Sequence, residues 1–281
     1  MILAAVGGLL LAAGDIAVRA LRLRLLLGGV EPRGIAPAAV VNALGDAASA
    51  LTPARLGGEP ARFLALRARG TPAPAAVVVL AIERVVDMGL AALVTIAAVA
   101  LLGTRGFGDL ANYAARFTAP PVLPWVIGVV VLLVTFAAVA VRFRARVPRV
   151  GASLRDALAH ARQVAGTRLI GATGLTMVSM ATRVAVLPML LWGFDALRDP
   201  ATVAVGSFAL IYAQLLLPTP AGIGGVELGF VLGVAPLLPP AEVAALLVTW
   251  RAITVGIPAG LGGLLVAHAA LKSQHGAAPA P

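Results

Sequence analysis

Two short stretches of this 281-residue chain combine residues that could hold an anion. The first reads Thr52-Pro53-Ala54-Arg55-Leu56-Gly57-Gly58-Glu59, and the second Thr219-Pro220-Ala221-Gly222-Ile223-Gly224-Gly225-Val226-Glu227. A Gly-Gly pair that opens a half-helix leaves backbone N–H groups free and lets a ligand come close, and the positive end of the helix dipole adds to the attraction. Arg55, Arg62, Arg84, Arg183 and Arg251 are available around these breaks. A guanidinium fork holds phosphate in a bidentate manner, where Lys offers only a point charge. The chemistry indicated is the binding of an anion such as a lipid phosphate.

Asp15, Glu59, Glu83, Arg84, Asp87, Arg183, Glu227 and Arg251 all lie in otherwise apolar sequence. At bilayer depth an ionisable residue costs about 2.5–3.5 kcal/mol on insertion scales, so it needs a partner or a wet cavity. Glu83 and Asp87 are spaced i,i+4 on one helical face, with Arg84 off that axis. The candidate substrate-binding set is therefore Arg55, Gly57, Gly58, Glu59, Arg62, Arg84, Asp87, Arg183, Gly224, Gly225, Glu227 and Arg251. The plainer alternative is that the Pro and Gly residues shape tight turns and the arginines only pair with Glu59, Glu83 and Glu227.

Other chemistries lack their residues. Cysteine is absent, and His160, His268 and His275 are too scattered to form a metal cluster. There is no metal-ligand spacing, phosphate-cradling P-loop or serine-nucleophile motif. No cofactor or metal is expected, and the leading expectation is a protein that is not an enzyme. An intramembrane transferase using Glu59, Asp87 or Glu227 as acid or base is the enzymatic rival.

The elements that must position these residues are membrane helices. Apolar residues make up 60% of the chain and charged residues 12%, with a mean hydropathy of +0.98. Soluble domains carry about 25% charged residues, so this composition cannot build a water-facing surface. The 31 glycines and 20 prolines suit a membrane bundle, where Gly permits close helix approach and Pro breaks are tolerated. The net charge of +10 would suggest nucleic acid in a soluble protein. Here no basic stretch is interleaved with aromatics for base stacking, and no nucleic-acid partner is expected.

A bilayer core takes about 20 apolar residues in helical form. Stretches 2–27, 75–102, 121–141, 169–194 and 241–269 meet that requirement. Segments 35–69 and 200–238 are each broken near the middle by a Pro/Gly cluster, and their short arms read as re-entrant helical hairpins. The expected fold is an all-α polytopic membrane protein with about five full spans plus two re-entrant hairpins.

Arginines then set the orientation. Arg19, Arg22, Arg24 and Arg33 follow the first span, and Arg62, Arg67 and Arg69 precede the second. The loop 142–168 holds Arg142, Arg144, Arg146, Arg149, Arg155, Arg162 and Arg168, and its part 150–166 reads as an amphipathic helix on the membrane surface. The opposite loops hold only Arg105, Arg116 and Arg198, accompanied by Asp109, Asp195 and Asp199. The chain is expected in the inner (plasma) membrane with its N-terminus outside and its C-terminus in the cytoplasm.

Thr, Pro, Ala, an aliphatic residue and both glycines of the two breaks coincide at an offset of 167, and the same offset pairs Arg84 with Arg251. Three full spans separate the hairpins, an odd number, so the second hairpin enters from the opposite face. The chain reads as one transmembrane domain of two inverted units, about 1–102 and 169–269. Span 121–141 and the loop 142–168 join them, and a disordered tail occupies 272–281. Inverted repeats with discontinuous helices characterise many secondary transporters, with the site near the midplane.

Arg22-Leu23-Arg24-Leu25-Leu26, the first break through Arg62, and Glu83-Arg84-Val85-Val86-Asp87 together resemble the flippase-like transmembrane region of lysylphosphatidylglycerol synthases. Pro218 through Glu227, with Trp250-Arg251, is similar to that family's second signature, so the resemblance covers about residues 10–270. It implies movement between leaflets of an anionic phospholipid, aminoacylated or glycosylated, or of a polyprenyl-phosphate-linked lipid. No aminoacyl-transferase domain is present, so synthase activity is not implied, and a further span upstream of the first is expected from the relatives. A second rival is a non-transporting scaffold for a separately encoded lipid-modifying enzyme.

Overall fold

The computed structural model describes residues 2–28, 34–116, 166–197 and 199–276. The expected span 121–141 and most of the loop 142–168, with its surface helix, lie outside the described residues. Among the described residues the regular elements are helical. They are α1 (Ile2–Leu27), α2 (Ile35–Leu51), α3 (Gly58–Ala68), α4 (Ala73–Arg116), α5 (Thr167–Trp192), α6 (Pro200–Ala213), α7 (Gly225–Val234), α8 (Pro240–Arg251), a π-helical turn (Ala252–Gly256) and α9 (Ile257–Gly276). The chain divides into two compact units, 1–87 with 164–281, and 88–163. Of the second unit the described part is the C-terminal portion of α4. Everything below concerns the first.

Three helical stretches are long and apolar enough to cross a membrane: Ile2–Leu27, Thr167–Trp192 and Pro240–Ala269. They match three expected spans within two residues at each end. The expected span 75–102 falls in α4, whose helix continues to Arg116. α9 runs to Gly276, into the segment 272–281 expected as a tail.

α1 buries Ala4, Gly8, Ala12, Asp15, Arg19, Arg22, Leu23 and Leu26, a stripe at three- and four-residue spacing that holds one face against the bundle. It packs along α5. Gly7 faces Met189, Asp15 meets Ser179, Gly171 lies against Leu25, and the Gly28 carbonyl accepts from Arg168 Nη1 at 3.1 Å. Early α1 therefore meets late α5, and the two helices are antiparallel. Small residues permit this approach: a Cβ at Gly7 would stand 3.0 Å from the Met189 side chain.

Both broken segments form helical hairpins. In the first, Gly58 lies at Ser49 and Gly45 at Arg62, and in the second Gly225 lies at Leu217 and Gly229 at Leu210. Asp199 caps α6. It accepts from the Thr202 hydroxyl at 2.6 Å and from the backbone N–H of Ala201 and Thr202, which holds its carboxyl below the ordinary range. Pro200 at the first helical position completes that start.

α9 rests on α2, where a Cβ at Gly262 would collide with the Ala43 carbonyl. The π-helical turn precedes Pro258, which has no N–H to offer the Thr254 carbonyl.

Two apolar cores flank a polar middle. One gathers Leu187, Leu191, Val226, Phe230, Leu246 and Trp250 from α5, α7 and α8. The other gathers Leu23, Leu26, Val41, Leu66, Val79 and Leu80 from α1 to α4. Leu3, Leu10, Ile170 and Leu264 stay exposed on the outside, as lipid-facing residues must.

Candidate functional site

The two breaks have nearly the same backbone. Ala54 and Arg55 have φ of +48° and +59°, and Ala221 and Gly222 have +50° and +69°. The turn bonds coincide as well: Arg55 N donates to Thr52 O and Leu56 N to Pro53 O, as Gly222 N donates to Thr219 O and Ile223 N to Pro220 O. Pro53 and Pro220 form an isolated antiparallel bridge, so the two tips touch. Arg55 is costly there, since a residue with a Cβ in the left-handed region costs about 1–2 kcal/mol. Glycine fills the matching position 222.

The N–H groups at the half-helix starts do not stand free. Gly57 N donates to Thr52 Oγ1 at 2.8 Å, Gly58 N to Arg55 O at 3.3 Å, and Gly224 N to Glu227 Oε2 at 2.7 Å. At these three glycines the protein's own groups satisfy donors that an incoming anion would use. Glu59 and Glu227, in the first turns of α3 and α7, place carboxylates at the positive ends of those helices.

Each of these glutamates takes the arginine that the sequence placed one helix later. Arg84 Nη2 lies 2.9 Å from Glu59 Oε1, and Arg251 Nε 2.6 Å from Glu227 Oε1. Arg251 also donates to the Ala221 carbonyl at 3.0 Å. In the first hairpin the pairing extends into a ladder. Arg62 pairs with Glu59 and Glu83. Arg22 Nε donates to Glu83 at 2.9 Å, and Arg22 Nη1 reaches Asp87 at 2.5 Å and Thr176 Oγ1 at 2.8 Å.

Arg19 and Arg22, expected as loop charges that mark orientation, therefore belong to α1 and are buried in ion pairs. A tally of arginines along a chain counts such residues as loop charge, because an internal partner from another helix is invisible to it. Arg24 is exposed.

A cavity of about 50 Å³ opens beside the touching tips, between α1, α2, α5, α6 and the π-helical turn. Its polar lining is Asp15, Arg19, Asp46, Arg55, Arg183 and Gln214, with Val186, Ile253 and Thr254 among the remaining walls. Arg19 gives Nη1 and Nη2 to Asp46 at 2.9 and 2.8 Å, and its Nε lies 2.9 Å from Asp15 Oδ2, off the N–H axis. Asp15 also accepts from Ser179 at 2.5 Å and from Arg183 Nε at 3.0 Å. Arg55 Nη1 donates to the Gln214 side-chain oxygen at 3.2 Å, and its Nη2 lies 3.9 Å from Asp46.

Of the twelve candidate site residues, only Arg55 and Arg183 line the cavity. Glu59, Arg62, Arg84 and Asp87 form the ladder of the first hairpin, and Glu227 and Arg251 pair at the second. The glycine pairs sit at the half-helix starts and do not line the cavity. Asp46 and Gln214 were missed by sequence reasoning. Asp46 carried the signal that had singled out the others, a carboxylate inside an apolar helix. Gln214 carried none.

The family model described as the lysylphosphatidylglycerol synthase TM region matches residues 1–273. The chain belongs to that family. With its long apolar helices it is a multi-pass membrane protein of a lipid-related family. No curated protein and no solved structure that was compared matches it.

Proposed function

We propose that this member of the family is a lipid transporter that moves an anionic, phosphate-bearing lipid between leaflets without changing it chemically. The observation that carries this reading is a charged cavity among apolar helices, placed where the tips of two discontinuous helical hairpins touch. Ionisable residues at such depth mark substrate paths in membrane proteins, and discontinuous helices mark the binding sites of transporters.

The antiparallel α1 and α5, the matched tip backbones and the matched pairs Glu59–Arg84 and Glu227–Arg251 support an architecture of two inverted units, about 1–102 and 169–269. In this scheme each hairpin is latched by its glutamate–arginine pair. Opening a latch frees Arg84 or Arg251 to follow the headgroup as the halves alternate. The lipids implied are phospholipids, aminoacylated or glycosylated, or polyprenyl-phosphate carriers, in the cell membrane with the N-terminus outside and the C-terminus in the cytoplasm. No ATP-binding motif accompanies the site, so movement is passive or driven by an ion gradient.

The test is leaflet-to-leaflet movement of labelled phosphatidylglycerol in liposomes holding the purified protein. The wild type is expected to accelerate it, and Arg84→Ala and Arg251→Ala to abolish the acceleration while still inserting. Unchanged movement in both variants would sink the latch assignment. The family's description names a synthase, which favours as a second reading a membrane subunit for a separately encoded lipid-modifying enzyme. Co-purification with such an enzyme, with no lipid movement by the isolated protein, would support that reading instead.

A further inference from the structure

The charge balance of the cavity points to a particular guest. Its lining holds three guanidiniums, Arg19, Arg55 and Arg183, against two carboxylates, Asp15 and Asp46, an excess of one positive charge. That excess is not spread evenly. Arg19 gives Nη1 and Nη2 to Asp46 and sets its Nε 2.9 Å from Asp15, so its charge is matched by the two aspartates. Arg183 gives only Nε to Asp15, and its Nη1 and Nη2 have no protein partner among the described residues. Arg55 spends Nη1 on a neutral acceptor, Gln214, and keeps Asp46 at 3.9 Å.

The same lining departs from the internal repeat. At the offset of 167, Asp15 falls on Thr182, Arg19 on Val186, Asp46 on Ala213 and Arg55 on Gly222. Arg183 and Gln214 fall on Ile16 and Ala47. Residues that shape the tips recur, and residues that line the cavity do not. The π-helical turn is likewise confined to one side, since 85–89 is ordinary α-helix. A scaffold needs only the repeated part. Arg55 in addition holds a left-handed backbone that its counterpart meets with glycine. Residues kept in strained conformations cluster at ligand sites.

We propose that this cavity is a single seat for one singly charged phosphoryl group between the two hairpins, held by the free fork of Arg183 and by the remaining donors of Arg55, which Gln214 positions through Nη1. One excess charge matches a phosphodiester or dihydrogen phosphate, whereas a phosphomonoester at neutral pH carries between one and a half and two charges. A volume near 50 Å³ holds about four water-sized groups, enough for a phosphoryl group and too small for a whole lipid headgroup. The rest of the guest lies outside the cavity. This assignment rests on the transporter reading for its lipid source, but the seat itself can be measured without transport.

The experiment is a titration of the full-length protein in detergent with short-chain phosphatidylglycerol, phosphatidic acid and phosphatidylcholine, with inorganic phosphate as competitor. Phosphatidylglycerol is expected to bind best of the three lipids. Arg55→Gln and Arg183→Gln should each weaken it about tenfold or more, as loss of a charge-assisted hydrogen bond does. Gln214→Glu, which keeps the side-chain shape and cancels the excess charge, should weaken it comparably even if an arginine variant fails to fold. Arg24→Gln, at an exposed arginine, should leave it unchanged.

Inorganic phosphate that binds the wild type but not Arg183→Gln, with no preference among the lipids, would keep the seat and assign it a soluble source. Preference for phosphatidic acid would overturn the single-charge assignment. Phosphatidylglycerol affinity untouched by all three cavity substitutions would overturn the seat. Arginine-dependent binding without lipid movement in liposomes would keep the seat and remove the transporter reading, and movement that ignores the three substitutions would do the reverse.

Discussion

Arg55 concentrates the conflict between folding and use at one residue. Its backbone occupies the left-handed region, where glycine is free of the Cβ penalty and where Gly222 takes the equivalent place. The strain relieved in Arg55→Gly is about 1–2 kcal/mol. Against that stands the greater chain entropy of glycine, about 0.5–1 kcal/mol. Thermal unfolding in detergent should therefore show stability within about 1 kcal/mol of the wild type for this variant. Binding of phosphatidylglycerol by the same preparation should be lost. A large fall in stability would mean that the Arg55–Gln214 bond holds the tips together and that the side chain is structural.

At the scale of elements, the half-helices depend on neighbours. α3 has 11 residues and α7 has 10, each far below the length of about 20 that crosses a bilayer. Their starts are secured by Thr52 and Glu227, and their flanks by ion pairs to the next helix. Glu83 is the most buried member of the first ladder and receives two arginines, from α1 and α3. Breaking a buried pair by removing one partner costs about 3–5 kcal/mol, because an unpaired charge remains. Glu83→Ala takes a carboxylate from two arginines at once and leaves Arg22 with Asp87 and Arg62 with Glu59 at 3.5 Å, so its unfolding midpoint should fall below the wild type. An unchanged midpoint would show that water reaches the ladder. The helices and breaks were legible in the sequence because apolar length and Pro/Gly punctuation are local. The division of eleven charged residues into a ladder and a cavity was not, because it depends on which faces of α1 to α5 meet.

For the whole molecule, the contact between the hairpin tips is the junction that alternation of two halves would have to disturb. Pro53 and Pro220 are bridge partners, which places their Cα atoms about 4.5–5.5 Å apart, within reach of a disulfide. The chain has no cysteine of its own, so the double substitution Pro53→Cys with Pro220→Cys introduces a single pair. Oxidation should cross-link it within one chain, seen as a mobility shift that reduction reverses. Lipid movement should stop on oxidation and return on reduction. Full movement with the link closed would exclude separation of the tips from the transport cycle.

Composition alone determined that the chain lives in a membrane, since 12% charged residues cannot clothe a soluble surface. Local pattern determined the long helices, the two broken ones and the shared design of their tips, and the family match over 1–273 agrees with the resemblance carried by those tips. Which charges line the cavity was decided only by the tertiary structure. Arg84 and Arg251 share the repeat and spend their charge on Glu59 and Glu227. Arg55 and Arg183 do not share it, and they face the cavity with donors to spare. An ion pair is a relation between residues far apart in the chain, and no spacing along it records which guanidinium is left with charge to offer.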